Sequence, residues 1–260
     1  MLFTGGCLAG FLAGFFGVGG GIVLVPILLY YYQSIGVSSL VATHLAFGTS
    51  LFVIIFTSLV SAREYHKNGH VVWRAVMVIG LASVIGAFGG AWLASVLAGK
   101  TLQKIFGIVV LISAVRLLSE TRKPKGEQKP RLGMPGLAAT GLVVGVSSPL
   151  AGVGGGVFSI PIMYSLLHFP LKRALGTSSA TIVITALAAV TGYVIRGWGN
   201  SLLPAYTLGY IDYLHALPII AGTVLLARFG AALAHRTDTG ILRKVFAMFL
   251  VVMAAKMLFF

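Results

Sequence analysis

Residues 17–21 of the chain read Gly-Val-Gly-Gly-Gly, and the same five residues return at positions 152–156. A proline follows each copy at the same distance, as Pro26 and Pro161. Both copies lie inside long apolar segments, where each glycine costs a helix interior about 1 kcal/mol relative to alanine. We therefore expect each segment to form a helix that is interrupted at the glycines.

An interrupted helix frees backbone N–H and C=O groups that hydrocarbon cannot satisfy. Such a break survives in a membrane only where it is buried in protein or lines a polar cavity. Paired breaks in the two halves of one chain are the best sequence indication of the binding site of a transporter.

The composition is that of a membrane protein with several spanning segments. Of 260 residues, 58% are hydrophobic and 9% charged, and the mean hydropathy is +0.99, unlike a soluble domain. The formal charge of +14 is explained by basic loops that orient such a protein in lipid, so we expect lipid and no nucleic acid as its partner. Cys7 stands alone, which excludes an intrachain disulfide, and the first residues lack the basic region of a cleaved signal peptide.

The chain divides into two similar halves. Residues 120–131 are hydrophilic and basic and contain two prolines, so we predict an N-terminal repeat over 1–119, a basic cytoplasmic linker over 120–134 and a C-terminal repeat over 135–260. The Leu-Arg-Lys-Val-Phe run at 242–246 resembles the Leu-Gln-Lys-Ile-Phe run at 102–106. The apolar segments cover about 5–32, 38–62, 71–98, 102–119, 135–168, 174–195, 212–234 and 241–260.

Two topologies compete for these segments, because a spanning helix needs about 20 apolar residues and the two broken segments are longer. If each broken segment enters and leaves on one side, most basic residues collect beside the linker, as the positive-inside rule requires. We therefore predict an all-α integral membrane protein of two inverted repeats. Each repeat has a glycine-broken re-entrant or discontinuous helix and three transmembrane helices. The alternative is eight full spans in parallel repeats.

The breaks predict a site for a small anion near the midplane of the membrane. The start of a helix exposes N–H groups and carries about +0.5 elementary charge, and glycine lets an oxyanion approach the backbone. Neutral hydroxyl groups would add donors that still let the anion leave. The predicted substrate-binding residues are Gly19, Gly20, Gly21, Thr43, His44, Thr49, Ser50, Gly154, Gly155, Gly156, Thr177, Ser178 and Ser179.

The acidic residues are placed in loops or at segment ends: Glu64, Glu120, Glu127, Asp212 and Asp238. A carboxylate relay through the membrane therefore has little to work with, and His44 is the candidate for proton coupling. The sequence has no HExxH, GxSxG or Walker motif. We expect a protein that is not an enzyme and that holds no metal or cofactor.

Two paired patterns suggest a family. The run Gly-Phe-Phe-Gly-Val-Gly-Gly-Gly at 14–21 and the stretch from Gly145 to 156 each precede a helix start with hydroxyl residues, at 42–45 and 176–179. This resembles the TauE/SafE family of membrane permeases over essentially the whole chain. The resemblance implies a secondary transporter that exports sulfite or an organosulfonate across the bacterial inner membrane. His44 stands where such families more often show serine, as Ser178 does in the second half.

Other functions remain open at this stage. A passive anion channel would use the same helix ends, and a metal-ion permease is less favoured because one cysteine, scattered histidines and no buried carboxylates make a poor metal path. The sequence leaves the particular anion, the direction of transport and the oligomeric state open.

Overall fold

The computed structural model describes residues 1–97 and 133–259, with positions 101, 104, 107, 108, 111, 112, 114 and 115 between them. The described residues include nine α-helices. In chain order they are α1 (Leu2–Phe16), α2 (Gly21–Ser34), α3 (Ser39–Lys67), α4 (Trp73–Val96), α5 (Met134–Ala151), α6 (Gly156–Pro161), α7 (Leu171–Gly197), α8 (Tyr213–Arg236) and α9 (Thr239–Phe259). A π-helical turn, Ile162–Leu166, continues α6.

Five of the described helices, namely α3, α4, α5, α7 and α8, are long and apolar enough to cross a membrane. The chain is an integral membrane protein whose described residues form helices, which confirms the predicted all-α membrane class. The arrangement as two inverted repeats stays a prediction. The two predicted interruptions are present, because α1 ends at Phe16 and α2 begins at Gly21, while α5 ends at Ala151 and α6 begins at Gly156. The predicted linker and most of the predicted segment 102–119 lie outside the described residues.

Glycines let the two halves of the chain pack closely. A β-carbon built on Gly10 of α1 would lie 2.5 Å from the Cα of Thr223 in α8, and one built on Gly145 of α5 would lie 2.8 Å from the Cα of Ser83 in α4. Small residues at such positions allow backbones in a membrane to approach. Further glycines face the partner backbone in the same way: Gly6, Gly14, Gly222 and Gly230 between α1 and α8, and Gly86, Gly90 and Gly141 between α4 and α5.

The long helices α3 and α7 lie at the centre and run in opposite directions. Gly48, near the start of α3, packs against Tyr210, which also contacts Gly197 at the end of α7. Conversely, a β-carbon on Gly176, near the start of α7, would lie 2.9 Å from the Cβ of Tyr65 near the end of α3. Opposite directions for two corresponding helices are what inverted repeats produce. The division at 1–119, 120–134 and 135–260 stays a prediction.

Gly90→Ala and Gly89→Ala test the packing of α4 on α5. A β-carbon at Gly90 would lie 2.9 Å from the Cα of Val146, whereas one at Gly89 meets nothing within 4 Å. We expect Gly90→Ala to lower the free energy of unfolding by about 1–3 kcal/mol through overpacking. Gly89→Ala should leave it unchanged or raise it by up to about 1 kcal/mol, because alanine favours a helix. Thermal unfolding of the detergent-purified protein measures both, and equal melting temperatures would contradict the packing.

Candidate functional site

The two glycine breaks have nearly the same backbone conformation. The φ angles are +65°, +82° and +88° at Gly17, Gly19 and Gly20, and +64°, +73° and +83° at Gly152, Gly154 and Gly155. A residue with a β-carbon pays about 1–2 kcal/mol to adopt this left-handed region. The glycines therefore do more than weaken a helix, because they turn the chain between α1 and α2 and between α5 and α6.

The two breaks touch each other across the interface between the halves. A β-carbon on Gly21 would lie 2.6 Å from the Cα of Val153, and a β-carbon on Gly156 would lie 2.6 Å from the Cα of Val18. The contacts are reciprocal, with the first residue of each helix against the other break. Since α2 and α6 begin here, the starts of two helices are brought together inside the protein.

Two serines hold the breaks from the central helices. Ser50 of α3 donates a hydrogen bond of 2.8 Å to the carbonyl oxygen of Gly152, and Ser178 of α7 donates one of 3.1 Å to the carbonyl oxygen of Gly17. Each glycine ends a helix, where carbonyls lack intrahelical partners. The serines therefore satisfy groups that the breaks expose, and the Oγ of Ser159 lies 2.7 Å from that of Ser178.

The threonine before each serine holds the start of a neighbouring helix. Thr49 Oγ1 accepts a hydrogen bond of 2.9 Å from the backbone N–H of Asp212, just before α8. Thr177 Oγ1 accepts one of 3.1 Å from the N–H of Val72, just before α4. The Gly-Thr-Ser triplets at 48–50 and 176–178 therefore make the same contacts.

These contacts correct the pairing of His44 with Ser178 that the sequence suggested. Ser50 makes in the first half the contact that Ser178 makes in the second half. His44 Nε2 lies 3.0 Å from the carbonyl oxygen of Ala94, near the end of α4, and Lys172 Nζ donates to the carbonyl oxygen of His235, near the end of α8, at 2.6 Å. His44 thus corresponds to a lysine, and both side chains bind carbonyls at a helix C-terminus, which favours positive charge there.

Ser58 is a further candidate site residue, which the sequence analysis missed. Its hydroxyl is buried, at 1% exposure, and has no hydrogen-bond partner among the described residues. Its neighbours Thr57 and Ser61 bond to carbonyls of their own helix in the usual way. Ser58 Oγ instead lies 3.2 Å from where a β-carbon on Gly19 would be. The signal was its spacing, because Ser50, residue 54 and Ser58 recur every four residues and share one face of α3.

Two isoleucines close the space between the breaks. The Cγ2 atoms of Ile54 and Ile182 lie 2.8 Å and 3.5 Å from a β-carbon built on Gly19, and 3.0 Å and 2.8 Å from one built on Gly154. These isoleucines come from the middle of α3 and α7. They place apolar side chains against both breaks.

The remaining predicted residues lie at different distances from the breaks. Thr43 and His44 precede Thr49 on α3 by more than one turn, so they lie about 8–9 Å along the helix axis from it. Ser179 is buried and donates to the carbonyl oxygen of Leu175 in its own helix at 3.0 Å. The starts of α2 and α6, at Gly20–Gly21 and Gly155–Gly156, have no side-chain cap.

The two helix starts are unequal. The helix α2 runs for 14 residues, whereas α6 runs for six before the π-helical turn.

The chain is a multi-pass membrane protein with two helix breaks that contact each other inside the protein. This is how membrane transporters are built. The comparisons with known proteins agree. The model of the family described as sulfite exporter TauE/SafE matches residues 2–257, and the chain belongs to this family.

Relatives that match along nearly their whole length carry the name of probable membrane transporter protein. One from Haemophilus influenzae is 32% identical, covering 97% of this chain and 95% of its own. One from Methanocaldococcus jannaschii is 28% identical, covering 99% and 94%, and one from Bacillus subtilis is 27% identical, covering 98% and 95%. No solved structure matches the chain.

Ser178→Ala and Ser179→Ala separate the support of the breaks from ordinary helix bonds. Loss of the Ser178 hydroxyl leaves the buried carbonyl of Gly17 without its donor, which should lower the free energy of unfolding by about 1–3 kcal/mol. Ser179→Ala removes only a bond within its own helix, so a change below about 0.5 kcal/mol is expected. Thermal unfolding of both variants compares them, and an equal effect would mean that Ser178 does not support the break.

Proposed function

We propose that this protein is a secondary transporter that moves a small sulfur-containing anion, sulfite or an organosulfonate, across the bacterial inner membrane. The anion would bind at the paired helix breaks, near the midplane. The family description supports the substrate class, since it names sulfite export. The contacts at the breaks support the position of the site.

The observation that carries the proposal is the pairing of an uncapped helix start with an unpartnered hydroxyl. The start of α2 has no side-chain cap, and Ser58 is buried beside Gly19 with no hydrogen-bond partner among the described residues. A buried polar group without a partner is costly. An oxyanion would supply the acceptor that Ser58 and the N–H groups of α2 lack.

The donors in this site are neutral, which suits transport. Backbone N–H groups and a hydroxyl can replace the hydration of a small anion without a fixed opposite charge that would hold it. Sulfite has three oxygens, so it can accept from the helix start and from Ser58 together.

The two isoleucines at the breaks favour a gated path over an open pore. Ile54 and Ile182 contact the positions where the two breaks face each other, so an anion enters only after these side chains move. Movement of one half of the chain against the other would separate the isoleucines and open the site to one side at a time.

The charges support an orientation with the predicted linker in the cytoplasm. The end of α3, the start of α7 and the end of α8 share one face, because Gly176 contacts His70, Lys172 bonds to His235 and Arg228 lies 3.6 Å from Glu64. Basic residues gather toward this face, and cytoplasmic surfaces carry such an excess. They are Arg63, Lys67, Arg74, Lys172, Arg173, Arg228 and Arg236.

Flux through proteoliposomes tests the proposal, with sulfite, sulfate, sulfoacetate, chloride and zinc compared. We expect saturable sulfite or sulfonate flux in the wild type. Ser58→Ala should raise the KM about 10-fold or more, because a hydrogen bond to a charged group contributes about 1.5–3 kcal/mol. The control Ser61→Ala loses only a bond within α3 and should keep the wild-type KM.

Other outcomes would contradict parts of the proposal. Non-saturating flux of sulfite and chloride alike would identify a passive anion channel, and flux of zinc alone a metal-ion permease. Equal KM values for Ser58→Ala and Ser61→Ala would place the anion elsewhere. No flux of any tested solute by wild-type protein that is folded would contradict the proposed function itself.

A further inference from the structure

A buried acidic side chain lies at the start of α8. Asp212 is 1% exposed, and its Oδ1 accepts a hydrogen bond of 3.0 Å from the backbone N–H of His215. Its Oδ2 lies 2.7 Å from His215 Nδ1. Because a carboxylate only accepts hydrogen bonds, Nδ1 carries the proton between them. The sequence analysis placed Asp212 at a segment end, which is where it lies, but did not foresee its burial or its partner.

The other half of the chain holds the start of α4 in the same way, without a titratable group. Val72 precedes α4 as Asp212 precedes α8, and the backbone N–H groups of both are held by a threonine, Thr177 and Thr49 respectively. Where α8 has His215, α4 has Ala75. The threonine contact at the start of α4 therefore forms without a carboxylate or an imidazole, so these two groups at α8 are not needed for it. Ionisable groups buried in membrane proteins are costly and mark functional sites.

The pair connects the protein surface to the residues that hold the second glycine break. The side chain of His215 is 32% exposed and that of Asp212 is 2% exposed, so His215 is the accessible member. Inward, Thr49 accepts from the N–H of Asp212 and from the hydroxyl of Tyr32, at 2.9 Å and 3.2 Å. The residue after Thr49 is Ser50, which holds the carbonyl of Gly152.

We propose that Asp212 and His215 form a proton-binding site that couples proton movement to anion transport, which rests on the function proposed above. A proton enters from the aqueous side at Nε2 of His215 and charges the ring. Transfer of the Nδ1 proton to Oδ2 of Asp212 then leaves a neutral imidazole and a neutral carboxylic acid. One proton is bound, and the negative charge at the start of α8 is removed.

Loss of that charge would change the surroundings of Thr49. An ionised carboxylate stabilises the start of a helix, and a neutral one does so less. The bonds from Asp212 and Tyr32 to Thr49 lie next to the bond from Ser50 to the break. Protonation therefore acts on the helix that supports the second break, at a position where the two halves meet.

The neighbours of the pair are mostly uncharged. From α2 it faces Tyr31, whose ring centroid lies 5.0 Å from that of His215, and Tyr32. From α3 it faces Thr49, and His44 reaches the same end through the ring of Tyr210 at 5.3 Å. The first turns of α1, which pack beside α8, carry no charged side chain, and the last turn of α7 carries Arg196.

A second partly buried histidine, His70, lies at the opposite end of the molecule, in the loop between α3 and α4. Burial, and then the charges of Lys172 and Arg173, lower the pKa of His70. A lowered pKa keeps this side chain neutral at pH 7, so it costs stability as the pH falls below the ordinary histidine pKa. This contribution is shared by all variants at Asp212 and His215, so comparison with the wild type removes it.

Asp212→Asn is the sharpest variant, because asparagine caps a helix as well as aspartate does but takes up no proton. The control is Asp238→Asn, since Asp238 caps α9 through bonds to Gly240 and Ile241 and belongs to no histidine pair. In proteoliposomes with a pH gradient, wild type and Asp238→Asn should accumulate sulfite against its gradient. Asp212→Asn should lose that accumulation at least tenfold and retain saturable flux down the sulfite gradient. His215→Gln should behave as Asp212→Asn does.

Infrared difference spectra between pH 8 and pH 5 test the site without any transport. The chain has five Asp and Glu residues, so the band of one buried carboxylic acid can be resolved. We expect that band in wild type and Asp238→Asn and its loss in Asp212→Asn. Its absence from the wild type would overturn the proton site, even where sulfite is transported. If the wild type shows the band but Asp212→Asn still accumulates sulfite under a pH gradient, the coupling is overturned. Absence of all flux would contradict both the transport function and the coupling. The spectra alone would then decide the proton site.

Discussion

The architecture depends on the need to satisfy backbone groups that a broken helix exposes inside a membrane. Ser50 and Ser178 meet this need reciprocally, because each reaches from a central helix to the glycine carbonyl that ends the broken helix of the other half. The same helices supply Thr49 and Thr177, which hold the starts of α8 and α4. The two Gly-Thr-Ser triplets of the central helices thus hold both breaks and the starts of two spanning helices.

Much of this could be predicted from the sequence, because glycine has a conformational meaning that does not depend on its neighbours. Four glycines in five positions, twice, locate the breaks, and the apolar length around them locates the membrane. The hydroxyl residues of both triplets were also among the predicted site residues. What they contact depends on the tertiary fold, so the carbonyl partners of Ser50 and Ser178 could not be read from the chain.

The register of the repeat was the part that failed. Thr49 follows Gly21 by 28 positions, whereas Thr177 follows Gly156 by 21. Part of this difference precedes the central helices, because Ser39 at the start of α3 follows Gly21 by 18 positions and Leu171 at the start of α7 follows Gly156 by 15. The rest lies within α3, which has about one more turn before its Gly-Thr-Ser triplet than α7 has. The sequence comparison matched His44 with Ser178. The contacts show that Ser50 is the residue that corresponds to Ser178. Ser58 was overlooked and the burial of Asp212 was not foreseen for a similar reason, because burial is a property of the packed chain.

The two halves differ at several corresponding side chains. The helix α3 has Ser58 where α7 has Ala186, and His44 corresponds to Lys172. At the start of α8 stand Asp212 and His215, where α4 has Val72 and Ala75. Two identical halves would offer a substrate two equal sites. Under the two proposals, Ser58 adds a donor beside the break at α2, since its hydroxyl has no partner among the described residues. The carboxylate–imidazole pair makes the start of α8 responsive to protons. The duplicated helices would then move against each other, and the side chains that differ between the halves would bind the anion and the coupling proton.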